Sequence, residues 1–291
     1  MKKIRLVFAA LAAIGTATVA GAQSIEEKNV AKGKFSFDPE AGYIFLSGST
    51  RQTGLFLKVP SEADIKEYSF EWETQLAKAR EKYAKKLKSW EQSAKQQAKA
   101  AEKPEEPTAE NFSIGDIETR SLVTYGPEFV FNKNKDKTEY TYMMKVKPGT
   151  YSFHGPLFFN PQAGYIGSCY CMGSVQFEVK PGMITDLGNF LVAAPNDDVD
   201  IGVDARQMIV PTGLFASAVN VDASGEPVKF GLPDSLKAFP STQADFRAAG
   251  KSDNFFGVMI SRMPPIPGVL AYQRDKVVDV KATLATAPPA Q

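Results

Sequence analysis

The residues best suited to chemistry stand in one stretch, SCYCMGSVQFEV at 168–179, which holds both cysteines of the chain, Cys169 and Cys171. Two thiols at that spacing can fill core space as small hydrophobes, close into a disulfide, or present soft sulfur ligands to a metal. Strand alternation bears on the first role. Extending the strand of Val175, Phe177 and Val179 backwards puts Gly173, Cys171 and Cys169 in the same parity. Ser174, Gln176, Glu178 and Lys180 then take the solvent side. Both cysteines are expected on the buried face, provided Gly173 introduces no bulge.

The disulfide reading meets a geometric obstacle. Residues i and i+2 of a regular strand lie about 6.5 to 7 Å apart, whereas bonded cysteines usually have Cα atoms about 4.4 to 6.8 Å apart. A Cys169–Cys171 bond needs a bent backbone, which Gly167 and Gly173 permit, and a strained bond is easily reduced. The metal reading is short of ligands. Zinc takes four, and the chain offers two thiols and a single histidine, His154. Copper(I) accepts fewer and softer ligands, with Met172, Met143 and Met144 as thioether donors. Parity opposes two members of this set. Met172 faces away from Cys171, and His154 shares the polar parity of Thr150 and Ser152 in TYSFHG, which predicts a surface histidine.

Other chemistry finds little support. The acidic run PNDDVDIGVD at 195–204 has Ile201 where a calcium loop needs its sixth-position glycine, and Gln207 where it needs a bidentate glutamate. Ser252-Asp253-Asn254 matches part of a penicillin-binding enzyme set, without the accompanying Ser-x-x-Lys or Lys-Thr-Gly. A histidine-dependent nucleophile needs His154 in a pocket, and no glycine-rich loop precedes a helix to cradle phosphate. A paired-carboxylate hydrolase stays open, because such pairs assemble in space. No catalytic residue and no cofactor is assigned.

The elements that must carry these residues begin after a leader. Lys2, Lys3 and Arg5, a short apolar run, and Ala20-Gly21-Ala22 have the three-part form of a secretory signal peptide cleaved before Gln23. Its removal leaves 269 of the 291 residues and lowers the formal charge from +1 to −2. The expected location is the periplasm or the exterior of a bacterium. No further run is long enough to span a membrane, and the balanced charge argues against nucleic acid as partner.

Gly42 to Pro60 reads as two strands around a Gly/Ser/Thr turn, a hairpin signature. Residues 66–103 then turn rich in Lys, Glu, Ala and Gln. Trp72, Leu76, Ala79, Tyr83, Leu87, Trp90 and Ala94 recur at spacings of four and three, one apolar stripe of a long helix. That stretch carries ten basic and six acidic residues. Trp72, Leu76, Tyr83, Leu87 and Trp90 are the candidate partner contacts if the helix stands as an arm; otherwise they pack on the β body. From 120 onward short strand-like runs alternate with Pro and Gly. Val-Lys-Pro-Gly occurs at 146–149 and 179–182, a turn phrase suited to type II geometry. Residues 233–250 predict short helices, capped at Ser241 or Thr242 and stopped at Gly250. Residues 282–291 predict a disordered tail.

VKPGTYSF followed by SVQFEVKPGMITDLGNFLV resembles the strand–turn–strand text of exported prealbumin-like, carboxypeptidase-regulatory-like β-sandwich domains, over about residues 143–192. The resemblance implies a fold and no activity, since such domains are mostly accessory or binding modules. The expected architecture is therefore mainly β. It is an antiparallel prealbumin-like sandwich over 23–281, with one long inserted amphipathic helix and short C-terminal helices. The expected function is a non-enzymatic exported binding or assembly module that contacts a protein partner or another copy through the helix. The alternative is periplasmic handling of a metal, copper foremost, or thiol-redox chemistry through Cys169 and Cys171.

Overall fold

The computed structural model describes residues 23–48, 51–94, 102–126, 130–133, 139–192, 227–274 and 276–286. The leader at 1–22 and the acidic run at 195–204 lie outside the described residues. The elements are β1 (Gln23–Ser24), α1 (Glu27–Ala31), β2 (Gly42–Gly48), β3 (Gly54–Lys58), α2 (Glu62–Ala94), β4 (Leu122–Tyr125), β5 (Asn132–Lys133), β6 (Tyr140–Val146), β7 (Gly149–Gly155), β8 (Leu157–Asn160), β9 (Gly164–Cys169), β10 (Ser174–Val179), β11 (Met183–Asp186), β12 (Ser241–Gln243), β13 (Arg247–Ala249), β14 (Met259–Ile260), β15 (Leu270–Gln273), β16 (Lys276–Asp279) and α3 (Val280–Thr286). The fold is mainly β, with several sheets and one long helix.

The first sheet has the order β1-β6-β2-β11-β12, with β5 also on β6; the second has the order β13-β10-β7-β3-β4. The second is antiparallel throughout. In the first, β11 runs parallel to β2 and to β12, so the wholly antiparallel expectation fails there. Two smaller sheets are β14-β9-β8 and β15-β16. Ile44, Leu46, Tyr142 and Met144 of the first sheet meet Phe56, Tyr151, Phe153, Val175 and Phe177 of the second in one core.

The outer faces are covered as well. Tyr43, Phe45 and Met143 pack with Ile25, Phe131 and Leu236, and Leu55 and Leu57 pack with Leu157. Burial on both faces is why GYIFLSG and GLFLK read as unbroken apolar runs. It also overturns the expected hairpin. β2 lies between β6 and β11 in one sheet, β3 between β7 and β4 in the other. Ahead of β3 the chain is tied to the first sheet at Gln52, whose N–H donates to Tyr142 Oη at 2.8 Å and whose carbonyl accepts from that hydroxyl at 3.0 Å.

The repeated Val-Lys-Pro-Gly does the same work twice. At 146–149 it carries the chain from the first sheet to the second, and at 179–182 it carries it back. Gly149 and Gly182 have φ of +143° and +63°, where a β-carbon would be strained.

α2 spans 33 residues, about 50 Å at 1.5 Å per residue. It begins before the expected residue 66, at Glu62, where Ser61 Oγ accepts from the Asp64 N–H at 3.2 Å. Glu102 and Lys103, expected to be helical, are not. The short helices predicted over 233–250 are instead a 3-10 turn at Asp234–Leu236 followed by β12 and β13. Pairing with β11 and β10 decided that stretch, and Ser241 and Thr242 lie in β12 rather than capping a helix. Part of the expected disordered tail is α3, where the Ala282 N–H donates to Asp279 Oδ1 at 3.0 Å. Among the described residues no helix is long and apolar enough to cross a membrane.

Candidate functional site

β9 ends at Cys169, and a turn at Cys171–Met172 leads into β10. The Gly173 N–H closes that turn onto the Tyr170 carbonyl at 3.1 Å. The bend brings the Cα atoms of Cys169 and Cys171 to 5.1 Å, and the two sulfurs are bonded. The obstacle raised by a straight strand is thus removed by ending the strand between the two residues. Gly173 has φ +145°, and a β-carbon there would meet Tyr272 Cε1 and Val277 Cγ2 at 2.7 Å.

The turn also shifts the alternation. Both cysteines are buried, at 0% and 4% exposure. Yet it is Tyr170 that joins Val175 and Phe177 in the central core. Ser174, expected to face water, is buried and donates to the Phe153 carbonyl at 2.5 Å. Met172 is exposed, as its parity predicts. Met144 lies in the central core and Met143 in the outer cluster of the first sheet, on β6.

His154 is the main correction. The predicted surface histidine is 3% exposed. Two features defeat the parity argument. The register between β3 and β7 pairs Leu55 with Gly155 and Phe56 with Phe153, so His154 is the extra residue of a bulge. The outer face is also roofed by Phe255 and Phe256, whose ring centroids lie 6.0 and 5.3 Å from the imidazole. The bulge re-aims His154 toward the cysteines. One ring nitrogen and both sulfurs lie within 4.8 Å of one another, all three residues buried. Nε2 of His154 has no hydrogen-bond partner among the described residues. Burial pushes the imidazole pKa down to about 4, so the ring is neutral at physiological pH.

Sequence reasoning missed the residues that build the lid and floor. Ser261 donates through its N–H at 2.8 Å and its Oγ at 3.1 Å to the Cys169 carbonyl. The Ser252 N–H donates to the Cys171 carbonyl at 3.0 Å, and the Asp253 carbonyl oxygen lies 3.4 Å from Cys171 Sγ. Asn254 ties the same loop together, donating to the Val258 carbonyl at 2.7 Å. Ser252-Asp253-Asn254 thus forms part of a lid. The paired aromatics next to it, Phe255-Phe256, were the available signal in the sequence.

The buried acid Asp186 is spent on backbone. Its Oδ1 accepts from the Gly188 N–H at 2.8 Å and its Oδ2 from the Gly231 N–H at 2.7 Å, while burial raises its pKa. It lines a cavity with Leu232, Lys237, Ser241, Thr242 and Gln243, none of them a second carboxylate.

The long helix is roofed by its own return segment rather than by a sheet. The Tyr68 hydroxyl donates to the Gly115 carbonyl at 2.6 Å, Trp72 Nε1 to the Phe112 carbonyl at 3.3 Å and Arg80 Nε to the Pro107 carbonyl at 3.2 Å. Residues 107–115 therefore run antiparallel to α2. Leu76 is the buried member of the stripe, and Trp72, Tyr83, Leu87 and Trp90 are half-buried. Trp72 and Leu76, read as partner contacts, lie on the strapped face. The outward face carries Phe70, 73% exposed, with Ala63, Ala77 and Ala84 also exposed at seven-residue steps.

Compared with known proteins, the chain matches no family model, no curated protein and no solved structure.

Proposed function

We propose that the chain is an exported, non-enzymatic assembly module of β-sandwich type, with α2 and its strap as an arm that pairs with the arm of a second copy. The observation that carries this reading is the charge order along α2. Five of its seven acids lie in 62–73, and six of its seven bases lie in 78–88. A helix dipole rewards charge only in its terminal turns, so segregation on this scale points to pairing. An antiparallel partner that sets Phe70 against Ala77 also sets Ala63 against Ala84. The same register places Lys66 opposite Glu81 and Glu62 opposite Lys85. Small residues allow close approach at the seam, and opposite charges flank it.

Export is supported by the leader and by the disulfide, which persists in oxidising compartments. The prealbumin-like reading draws on two sheets sharing one core and on the two Val-Lys-Pro-Gly crossings between them. A non-enzymatic role is supported by a single histidine sealed under aromatic rings and by Asp186 held on backbone N–H groups.

The test is sedimentation equilibrium of the exported chain with charge-reversed variants. Lys66→Glu and Glu81→Lys should each weaken a dimer, and the two together should restore it. A chain that is monomeric at every concentration, or a dimer indifferent to these changes, removes the proposal.

A further inference from the structure

We propose that Cys169, Cys171 and His154 form a copper(I) site that opens when the disulfide is reduced and closes when it re-forms. Three observations carry it. Both sulfurs and an imidazole nitrogen already lie within 4.8 Å of one another. Ligand atoms about 2.0 to 2.3 Å from one ion stand at most about 4.6 Å apart, so only small side-chain rotations separate this cluster from a shared ion. The imidazole is held there by a bulge, which re-aims a side chain at a cost in ladder pairing. Its Nε2 is buried with no partner among the described residues, a state that native structures rarely leave unused.

The donor set selects the ion. Two thiolates and a neutral imidazole suit a soft cation content with three ligands. Zinc favours a fourth donor, and among the described residues no further His, Cys or carboxylate joins the three.

The chemistry balances with a dithiol as reductant. The dithiol gives two electrons and two protons to the Cys169–Cys171 bond and becomes a disulfide itself, leaving two cysteine thiols. Copper(I) then displaces both thiol protons and is bound by two thiolates and His154, with no change in its oxidation state. Access runs through the 252–258 lid, which is anchored at the Ser252 N–H to the Cys171 carbonyl and folded on Asn254.

The experiment uses the full exported chain, reduced anaerobically with an immobilised phosphine that is then removed, and titrated with copper(I) against a chromogenic chelator. The reduced chain should take up one copper, and the oxidised chain none. X-ray absorption on the wild-type complex should show two sulfur neighbours and one nitrogen. His154→Gln should keep both sulfurs, lose the nitrogen and bind at least tenfold more weakly. Circular dichroism of each metal-free form keeps a misfolded variant from being read as a lost ligand. Equal copper uptake by the reduced chain, the oxidised chain and a Cys169→Ser/Cys171→Ser variant overturns the proposal. So does a wild-type complex without a nitrogen neighbour.

Discussion

Lys58, the last residue of β3, is buried and gives its ammonium to Asp64 in the first turn of α2. Its stem lies against Gly149, where an added β-carbon would meet Lys58 Cε at 2.7 Å. This pair is the joint between the β body and the arm. Removing the acid leaves a buried cation without its partner. Because Asp64 is itself partly exposed, we expect Asp64→Asn to cost about 2 kcal/mol in urea unfolding.

The same joint has a pH signature. Partial burial pushes the Asp64 carboxyl up, but the hydrogen bonds from Lys58 and Ser61 outweigh it and hold the pKa down to about 2. A carboxyl lowered in the folded state stabilises above its unfolded value near 3.8, and that stability is lost as pH falls towards 2. The unfolding free energy of the wild type should drop over that window, and Asp64→Asn should lack this part of the drop. Equal slopes in both proteins would show that the pair is not formed in solution.

The disulfide should matter little to the fold. It closes a loop of sequence separation 2, for which the chain-entropy relation gives only about 1.5 kcal/mol. Reduction, or Cys169→Ser/Cys171→Ser, should therefore shift the urea midpoint modestly and leave the β circular dichroism intact. Global unfolding on reduction would contradict this and would show that the bond supports the core.

Gly173→Ala should be much worse than breaking the bond. The new methyl meets Tyr272 and Val277 at 2.7 Å, on a backbone at φ +145°. Strain and overpacking together should cost about 2 to 4 kcal/mol in chemical denaturation. A change within about 0.5 kcal/mol, the range of a neutral surface site, would mean that the turn relaxes freely.

Phe70 separates assembly from stability. It is 73% exposed on the face away from the strap. Phe70→Ser should leave the melting temperature of the dilute, monomeric chain unchanged while weakening any dimer measured by light scattering. By contrast, Trp72→Ala should free residues 107–115 to limited proteolysis, since Trp72 holds Phe112 by a hydrogen bond and an edge-on ring contact.

Elements with local signals are legible in the chain alone. The stripe from Trp72 to Ala94 defines a long helix because a 3.6-residue period has one geometric meaning. The alternation through Val175, Phe177 and Val179 defines a core strand for the same kind of reason. Which surfaces those elements meet emerges only from the folded chain. β2 and β3 read as a hairpin but belong to opposite sheets, each paired with other strands and buried on two faces by residues remote in sequence. The stripe of α2 found a strap from residues 107–115, and no periodicity names its occupant. His154 shows the limit most sharply. Its neighbours Thr150 and Ser152 keep the half-buried outward pattern, but a bulge against β3 and a lid from residues 252–258 turned it inward. Alternation reports a residue's phase along its own strand. Register shifts and roofs come from other parts of the chain, and they brought one histidine and two cysteines into a single buried cluster.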